Sequence, residues 1–174
     1  MQSENLRDEF GLETDRLLLR PWRMSEGVIL REIWSERDPR VPPHRRIDAL
    51  GNPTVAHLER EIIAYKPASV GLLAVELKET GRVIGYSGLI DSGRGAREPE
   101  LAYELLRRHW GRGYATEASW AILNWARSSR YERLWATVWD WNAGSRRVLA
   151  KIGFVEVGFE MTTHGTNIVT TKFL

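Results

Sequence analysis

The sequence reads Glu100-Leu101-Ala102-Tyr103-Glu104-Leu105-Leu106 and, three residues later, Trp110-Gly111-Arg112-Gly113-Tyr114-Ala115-Thr116-Glu117-Ala118. These two stretches carry the clearest structural signal in the chain. The first has the apolar content of a strand over residues 101–106. After the glycines, apolar residues recur at helical spacing, which predicts a helix over residues 114–128. The chain therefore passes from a strand into a helix through a turn with two glycines.

The glycine turn has the properties of an anion site. The first amides of a helix lack partners within the helix and carry partial positive charge. Glycine lets a ligand approach the backbone without meeting a Cβ atom, so phosphate or pyrophosphate would fit there. Taken alone, Gly111-Arg112-Gly113 suits a tight turn as well as any phosphate ligand. A dinucleotide fingerprint needs a third glycine and a Walker A loop needs Gly-Lys-Ser/Thr; this turn has neither.

The rest of the chain extends this unit into a single mixed sheet with helices. The pattern of apolar and turn residues predicts the element order β-α-α-β-β-β-α-β-α-β-β. Strands are expected near residues 15–21, 72–78, 82–90, 101–106, 134–139, 154–159 and 167–173, with helices from Ser25, from Thr54, over 114–128 and after Asn142. Hairpins imply antiparallel pairs and β-α-β crossovers imply parallel ones, so the fold class is α/β (α+β). The strand at 134–139 is apolar on both faces, which predicts cover on both sides.

Composition limits the functions open to the chain. Its 174 residues suit one globular domain, and 43% hydrophobic with 28% charged residues argues against disorder. The net charge of +2 arises from scattered basic residues, so no nucleic acid is expected as a partner. Cysteine is absent, which excludes disulfides and thiolate chemistry, and the four histidines suggest no metal site. No apolar run has membrane length and no signal-peptide core begins the chain, so a cytoplasmic protein is expected.

The two stretches resemble the acetyl-CoA motif of the GNAT acetyltransferase superfamily. Downstream, Asn142-Ala143-Gly144-Ser145 and residues 148–154 are similar to its next landmark. Residues 13–20 resemble the RimJ/RimL-like branch, the ribosomal-protein N-terminal acetyltransferases and their relatives. The resemblance implies one domain over residues 13–174, with a mostly antiparallel sheet, splayed central strands and flanking helices. Residues 1–12 would form an N-terminal extension that can be flexible.

The resemblance also implies acetyl-CoA as the acetyl donor. Main-chain amides of the glycine turn would hold its pyrophosphate, although Trp110 stands where the family has Gln or Arg. The pantetheine arm would lie between the splayed strands and pair with backbone near Leu105, as an added strand would; ordinary sheet pairing is the plainer explanation. The expected cofactor-binding residues are Leu105, Gly111, Arg112, Gly113, Tyr114, Ala115, Thr116 and Asn142.

Acetyl transfer to an amine needs a base, an oxyanion donor and help for the leaving thiolate. Glu100 is the first candidate for the base, because it begins the strand beside the expected thioester. Glu104 has the same parity along the strand and is the second candidate. Ser145, three residues after Asn142, is the candidate acid. Each has a plainer explanation: a solvated carboxylate for the glutamates, and helix capping for the serine.

The family places the acceptor between residues 40–52 and 161–166 of this chain. The acceptor is expected to be an amine, either a small molecule or a protein N-terminus, and Arg40, Arg45 and Arg46 would favour one with a carboxylate or phosphate. The predicted function is an N-acetyltransferase acting by direct attack in a ternary complex; a homodimer is possible. The alternative is a catalytically silent acyl-CoA-binding regulatory module. A phosphotransferase is disfavoured because the chain has no Walker lysine.

Overall fold

The structure, a computed structural model, describes residues 10–64 and 71–174. These residues form helices and strands joined by short 3-10 turns. The helices are α1 Gly27–Ser35, α2 Val55–Ala64, α3 Tyr114–Ser128 and α4 Ala143–Lys151. The strands are β1 Leu12–Glu13, β2 Leu17–Arg20, β3 Gly71–Leu77, β4 Arg82–Ile90, β5 Glu100–Leu105, β6 Arg133–Trp139, β7 Val155–Thr162 and β8 Gly165–Phe173.

The strands join one sheet in the order β1-β2-β3-β4-β5-β6-β8-β7. Neighbours are antiparallel except β5 and β6, which run parallel because α3 crosses between them. The predicted α/β fold with a mixed, mostly antiparallel sheet is confirmed. The sequence did not indicate β1, which pairs with β2 at Leu12↔Leu19. Its two residues are too few to show an alternating pattern.

The main core lies on the face of the sheet that α3 and α4 cover. On β6, Leu134, Ala136 and Val138 are buried, while the residues that alternate with them are half-buried. The second face of this strand is therefore only partly covered, less than predicted. Helix α1 packs against α2 and, among the strands, mainly against β4, where it forms a separate cluster.

Local hydrogen bonds decide where two of the helices begin. Asn142 caps α4, the helix predicted to follow it, since its Oδ1 accepts the Ser145 N–H at 3.1 Å. The predicted cap of α1 at Ser25 is wrong, because the helix begins two residues later. The Glu26 carboxylate folds back to accept the Arg23 N–H at 2.8 Å, and a 3-10 turn forms before α1.

The tryptophans lie mostly at the edge of the core. Trp110 is exposed, and the other seven are half-buried. Several stack with arginines at the surface, as Trp135 does with Arg94 at 4.4 Å. An indole gives both an apolar body and a face that attracts a guanidinium, which suits a position at the edge of a core.

The start of the chain is described only from Phe10. Most of the expected extension, residues 1–12, lies outside the described residues, and Phe10 packs edge-on against Trp125 of α3. Within residues 10–64 and 71–174, no helix is both long and apolar enough to cross a membrane.

Candidate functional site

Strands β5 and β6 meet at one position. Glu100 pairs with Trp135, and the backbone N–H of Trp135 donates to the Pro99 carbonyl oxygen at 3.0 Å. Beyond that point β5 continues to pair with β4 and β6 with β8, but β5 and β6 no longer pair. We call the opening between them the wedge; residues 101–105 of β5 and 137–139 of β6 border it. The predicted splay of the central strands is thus confirmed.

Glu100 lies at the closed end of the wedge. Its Oε1 accepts the backbone N–H of Thr137 at 3.1 Å. Burial raises the pKa of the Glu100 carboxyl, and the bond from Thr137 opposes that shift only in part. Arg94 and Glu160, which form an ion pair at 3.0 Å, influence this pKa in opposite directions. A half-buried carboxylate with a raised pKa has the character of a general base.

Glu104, the second candidate, has a different environment. Arg37 donates to both of its oxygens, at 3.0 Å to Oε1 and 2.7 Å to Oε2, and the Tyr86 hydroxyl donates to Oε2 at 2.7 Å. The Arg37 side chain is 6% exposed, so the ion pair is largely removed from water. Both oxygens of Glu104 are therefore engaged in a hydrogen-bonded ion pair, which favours a structural role for this carboxylate. The sequence did not indicate Arg37, since no local pattern connects residues 67 positions apart.

Ser145, the candidate acid, lies in the first turn of α4. Its hydroxyl oxygen is 2.7 Å from the hydroxyl oxygen of Tyr103, a contact that the sequence did not indicate. Because Tyr103 projects from the middle of β5, this contact links β5 to the start of α4. Burial raises the pKa of Tyr103 to about 12, against a smaller opposing effect of the bond to Ser145.

The glycine turn has an open backbone. Gly111 and Gly113 have φ angles of +73° and +80°, in the left-handed region that other residues rarely adopt. A Cβ atom on Gly111 would meet nothing within 4 Å. Gly113 is the N-cap of α3, and its carbonyl accepts the first helical bond, from Glu117 N–H at 3.0 Å. The amides of residues 114–116 therefore have no partner within the helix and are suited to an anion.

Arg16, just before β2, braces this turn. Its Nη1 donates to the Arg112 carbonyl oxygen at 3.1 Å, and its Nε donates to the Glu117 carboxylate at 2.7 Å. Its guanidinium also lies 4.5 Å from the centre of the Tyr114 ring. Burial raises the pKa of Glu117, but bonds from Thr14 and Arg16 outweigh it, and the net shift is downward. The sequence pattern did not indicate this role, although Arg16 lies within residues 13–20, which resemble the RimJ/RimL-like branch.

Trp110, the departure from the family pattern, ties the turn to the strand before it. Its indole Nε1–H donates to the Leu105 carbonyl oxygen at 2.6 Å. Leu105 lies opposite Gly85 on β4, and the next N–H, that of Leu106, donates to the Ile84 carbonyl oxygen at 2.9 Å. Bonded and non-bonded pairs alternate along an antiparallel ladder. The Leu105 N–H therefore points away from β4, towards the wedge.

The surroundings of the turn are basic. Arg107, Arg108 and Arg112 lie in or just before it, and Arg108 is paired with Glu32. The pKa of His109 is lowered, first by burial and then by its arginine neighbours, which favours the neutral ring. The positive charge at the turn thus comes from arginines. In the described part of the chain, no cluster of three or more His, Asp or Glu side chains could hold a metal ion.

Stacked tryptophans lie at the free end of β6. Trp139 stacks on Trp141 with ring centroids 6.2 Å apart, and Gly165, at the start of β8, lies close to Trp139. Arg40 places its guanidinium 4.1 Å from the centre of the Trp141 ring and pairs with Asp38 at 2.8 Å. The two segments expected to flank the acceptor thus meet at these indoles. Arg40, one of the arginines expected to favour an anionic acceptor, already has a carboxylate partner there.

Comparisons with known proteins agree with this geometry. The family model described as Acetyltransferase (GNAT) domain matches residues 16–155. The uncharacterized N-acetyltransferase p20 of Bacillus licheniformis is 30% identical over 152 residues, which cover 84% of this chain and 83% of that protein. A solved GNAT acetyltransferase from Bacillus anthracis has a TM-score of 0.80 at 20% identity, covering 94% of this chain and 98% of that one.

A second solved structure shares the fold. Mycobacterium smegmatis RimJ, in complex with CoA-disulfide, has a TM-score of 0.66 at 21% identity. The match covers 94% of this chain and 86% of the RimJ chain. The family model spans most of the chain, and the match to p20 extends over more than four fifths of both proteins. The chain therefore belongs to the GNAT acetyltransferases.

Proposed function

We propose that the protein is an N-acetyltransferase that moves the acetyl group of acetyl-CoA to a primary amine by direct attack in a ternary complex. The observation that carries this proposal is the wedge. Its closed end holds Glu100, a half-buried carboxylate with a raised pKa. The same strand leads at its other end to the open amides of the glycine turn. The six residues of β5 span about 20 Å, which leaves room for an extended cofactor.

Acetyl-CoA binds along β5 in this proposal. Its pyrophosphate lies on the amides at the start of α3, and Arg112 and the Thr116 hydroxyl add to the contacts. Its pantetheine arm bonds to the Leu105 N–H, which points towards the wedge. Asn142 uses its Oδ1 to cap α4, so its amide NH₂ is left for a pantetheine carbonyl. The coenzyme A derivative held by the solved RimJ supports this assignment.

The reaction follows from the groups beside the wedge. The amine nitrogen attacks the acetyl carbon while Glu100 accepts a proton from it, directly or through water. A backbone N–H on the splayed strand stabilises the tetrahedral oxyanion. As the C–S bond breaks, the Ser145 hydroxyl donates towards the sulfur. Support for these roles comes from the raised pKa of Glu100 and from the position of Ser145 in the first turn of α4.

For the acceptor, we propose the RimJ/RimL-like branch, with a protein N-terminus or a small-molecule amine as substrate. The motif at residues 13–20 and the fold shared with RimJ support the branch. Arg45 and Arg46 are the arginines left to attract a carboxylate or phosphate on the acceptor. Replacing both by Ala should then raise the acceptor KM about tenfold. An unchanged KM would remove this part of the proposal.

The deciding experiment is a screen of amines and N-terminal peptides with acetyl-CoA, in which free thiol is measured. Turnover on an amine supports the enzyme. Tight binding of coenzyme A without thiol release on any amine would instead support the regulatory acyl-CoA-binding module.

The domain boundary at Glu13, a homodimer and a cytoplasmic location stay predictions. For the homodimer, light scattering on the wild type is the direct measurement.

A further inference from the structure

Tyr103 and Ser145 form a hydroxyl pair beside the wedge. Their oxygens are 2.7 Å apart, and the Tyr103 hydroxyl is also 3.1 Å from the Ser145 carbonyl oxygen. Tyr103 lies on β5 between Glu100 and Leu105. It therefore lies on the stretch of strand between the group assigned as the base and the group assigned to the pantetheine arm.

The hydroxyl hydrogens of Tyr103 and Ser145 can be arranged in two ways that fit these distances. In the first arrangement, Tyr103 donates to the Ser145 carbonyl oxygen, and the Ser145 hydroxyl donates back to the tyrosine oxygen. In the second, Tyr103 donates to Ser145 Oγ, and the hydrogen of the serine is released to point elsewhere. A hydroxyl has one hydrogen and two acceptor lone pairs, so the two arrangements are mutually exclusive.

We propose that Tyr103 is a positioning residue for acyl transfer: by donating its hydrogen to Ser145 Oγ, it directs the hydrogen of the serine into the wedge, towards the sulfur of the leaving thiolate. This inference rests on the proposed function. An anionic sulfur in the wedge selects the second arrangement, because a hydrogen bond to a charged acceptor is stronger than one to a neutral acceptor.

The step balances without a proton leaving either hydroxyl. The amine nitrogen forms the new C–N bond and passes its surplus proton to Glu100. The C–S bond breaks with both electrons on sulfur, and the serine hydrogen bond stabilises the thiolate until water protonates it. Burial raises the pKa of Tyr103 to about 12, whereas a free thiol has a pKa of about 8.5. The phenol is thus the weaker acid, so it stays protonated and acts through Ser145.

The experiment measures kcat and the KM for acetyl-CoA, with the best amine from the screen, for Tyr103→Phe, Ser145→Ala and the double variant. Tyr103→Phe keeps the ring and removes the hydroxyl. We expect each single variant to lose about tenfold in kcat, with KM changed less than about twofold. The double variant should lose no more than about the worse single variant, because one hydrogen bond carries both effects. Ser145→Thr, which keeps a hydroxyl, should recover part of the rate.

A matched control separates this role from a loss of packing. Tyr131→Phe removes a hydroxyl from a ring that packs against Trp125, away from the wedge, and should leave kcat unchanged. The pH at which the wild-type rate rises should not move in Tyr103→Phe, since the phenol does not titrate in that range.

The outcomes distinguish the inference from the function on which it rests. If the wild type releases no thiol with any amine, the proposed function fails and the inference fails with it. If the wild type is active and Tyr103→Phe matches Tyr131→Phe in kcat, the inference alone is overturned. A multiplicative loss in the double variant would also overturn it, because the two hydroxyls would then act independently.

Discussion

The backbone N–H of Thr137 donates to the side-chain Oε1 of Glu100 at 3.1 Å. In a regular parallel ladder beginning with the Trp135 N–H on the Pro99 oxygen, the next N–H of β6 would donate to the carbonyl of Leu101. The carboxylate takes the place of that carbonyl. The strands thus separate at Glu100, the residue assigned as the base. The Thr137 N–H is the first backbone group that loses its strand partner there, and the Glu100 side chain accepts its hydrogen bond.

Glu100→Gln should reduce kcat by about a hundredfold, because the variant keeps the acceptor for Thr137 and loses the base. The wild-type rate should rise with pH through the raised pKa of Glu100, since the carboxyl must be ionised to accept a proton. The variant should lack that rise. Stopped assays of thiol release over roughly pH 5–9, at saturating acetyl-CoA, would measure both effects. A normal rate in the variant would remove Glu100 from the mechanism.

The same substitution should affect stability in a pH-dependent way. The pKa of Glu100 is higher in the folded protein than in the unfolded chain, so ionisation of this carboxyl costs the folded state stability. The cost is absent below the unfolded pKa of about 4.3, grows as pH rises through the raised folded pKa, and is then constant. The melting temperature of Glu100→Gln relative to wild type should therefore increase over that window and then level off. Glu79→Gln, the same change on an exposed turn residue, should show no such trend.

Gly113→Ala should weaken coenzyme A binding at least tenfold, because a Cβ atom would stand where the pyrophosphate approaches. Since Gly113 has φ +80°, the substitution should also cost about 1 kcal/mol of stability. Gly81→Ala is the matched control. Its φ is +65°, and a Cβ atom there would meet nothing within 4 Å, so it should lose similar stability and bind coenzyme A normally. Calorimetric titration with coenzyme A would compare them; equal affinities would contradict the assignment of the turn.

Glu104→Gln should destabilise the protein by about 3 kcal/mol, because it leaves the Arg37 guanidinium buried without its countercharge. Urea unfolding would measure this loss. Glu156→Gln breaks an exposed ion pair with Arg146 and should cost less than about 1 kcal/mol. If the two variants unfolded at the same urea concentration, the Arg37–Glu104 pair would stabilise the fold no more than an exposed pair does.

Much of the fold could be predicted because its signals are local. Helix α3 has the predicted bounds, and Asn142 caps α4. Alternation along the strand places Glu100 and Glu104 on the same face, so it could not show which of them is the better candidate base. Their environments differ because Glu104 pairs with Arg37, which is distant in sequence. The Tyr103–Ser145 pair likewise depends on how α4 packs beside β5. Local periodicity specifies an element and its faces, whereas side-chain partners far apart in sequence are set by tertiary packing.

The single pairing of β5 with β6 divides the sheet into two hydrogen-bonded units, one from β1 to β5 and the other from β6, β8 and β7. Backbone amides in the two units need not open together, because almost no ladder bonds connect them. Hydrogen exchange should therefore report two opening free energies, one for the interior of β4 and one for the interior of β8. A ligand that bonds to both borders of the wedge would bring these two values together, and exchange measured with and without coenzyme A would show it.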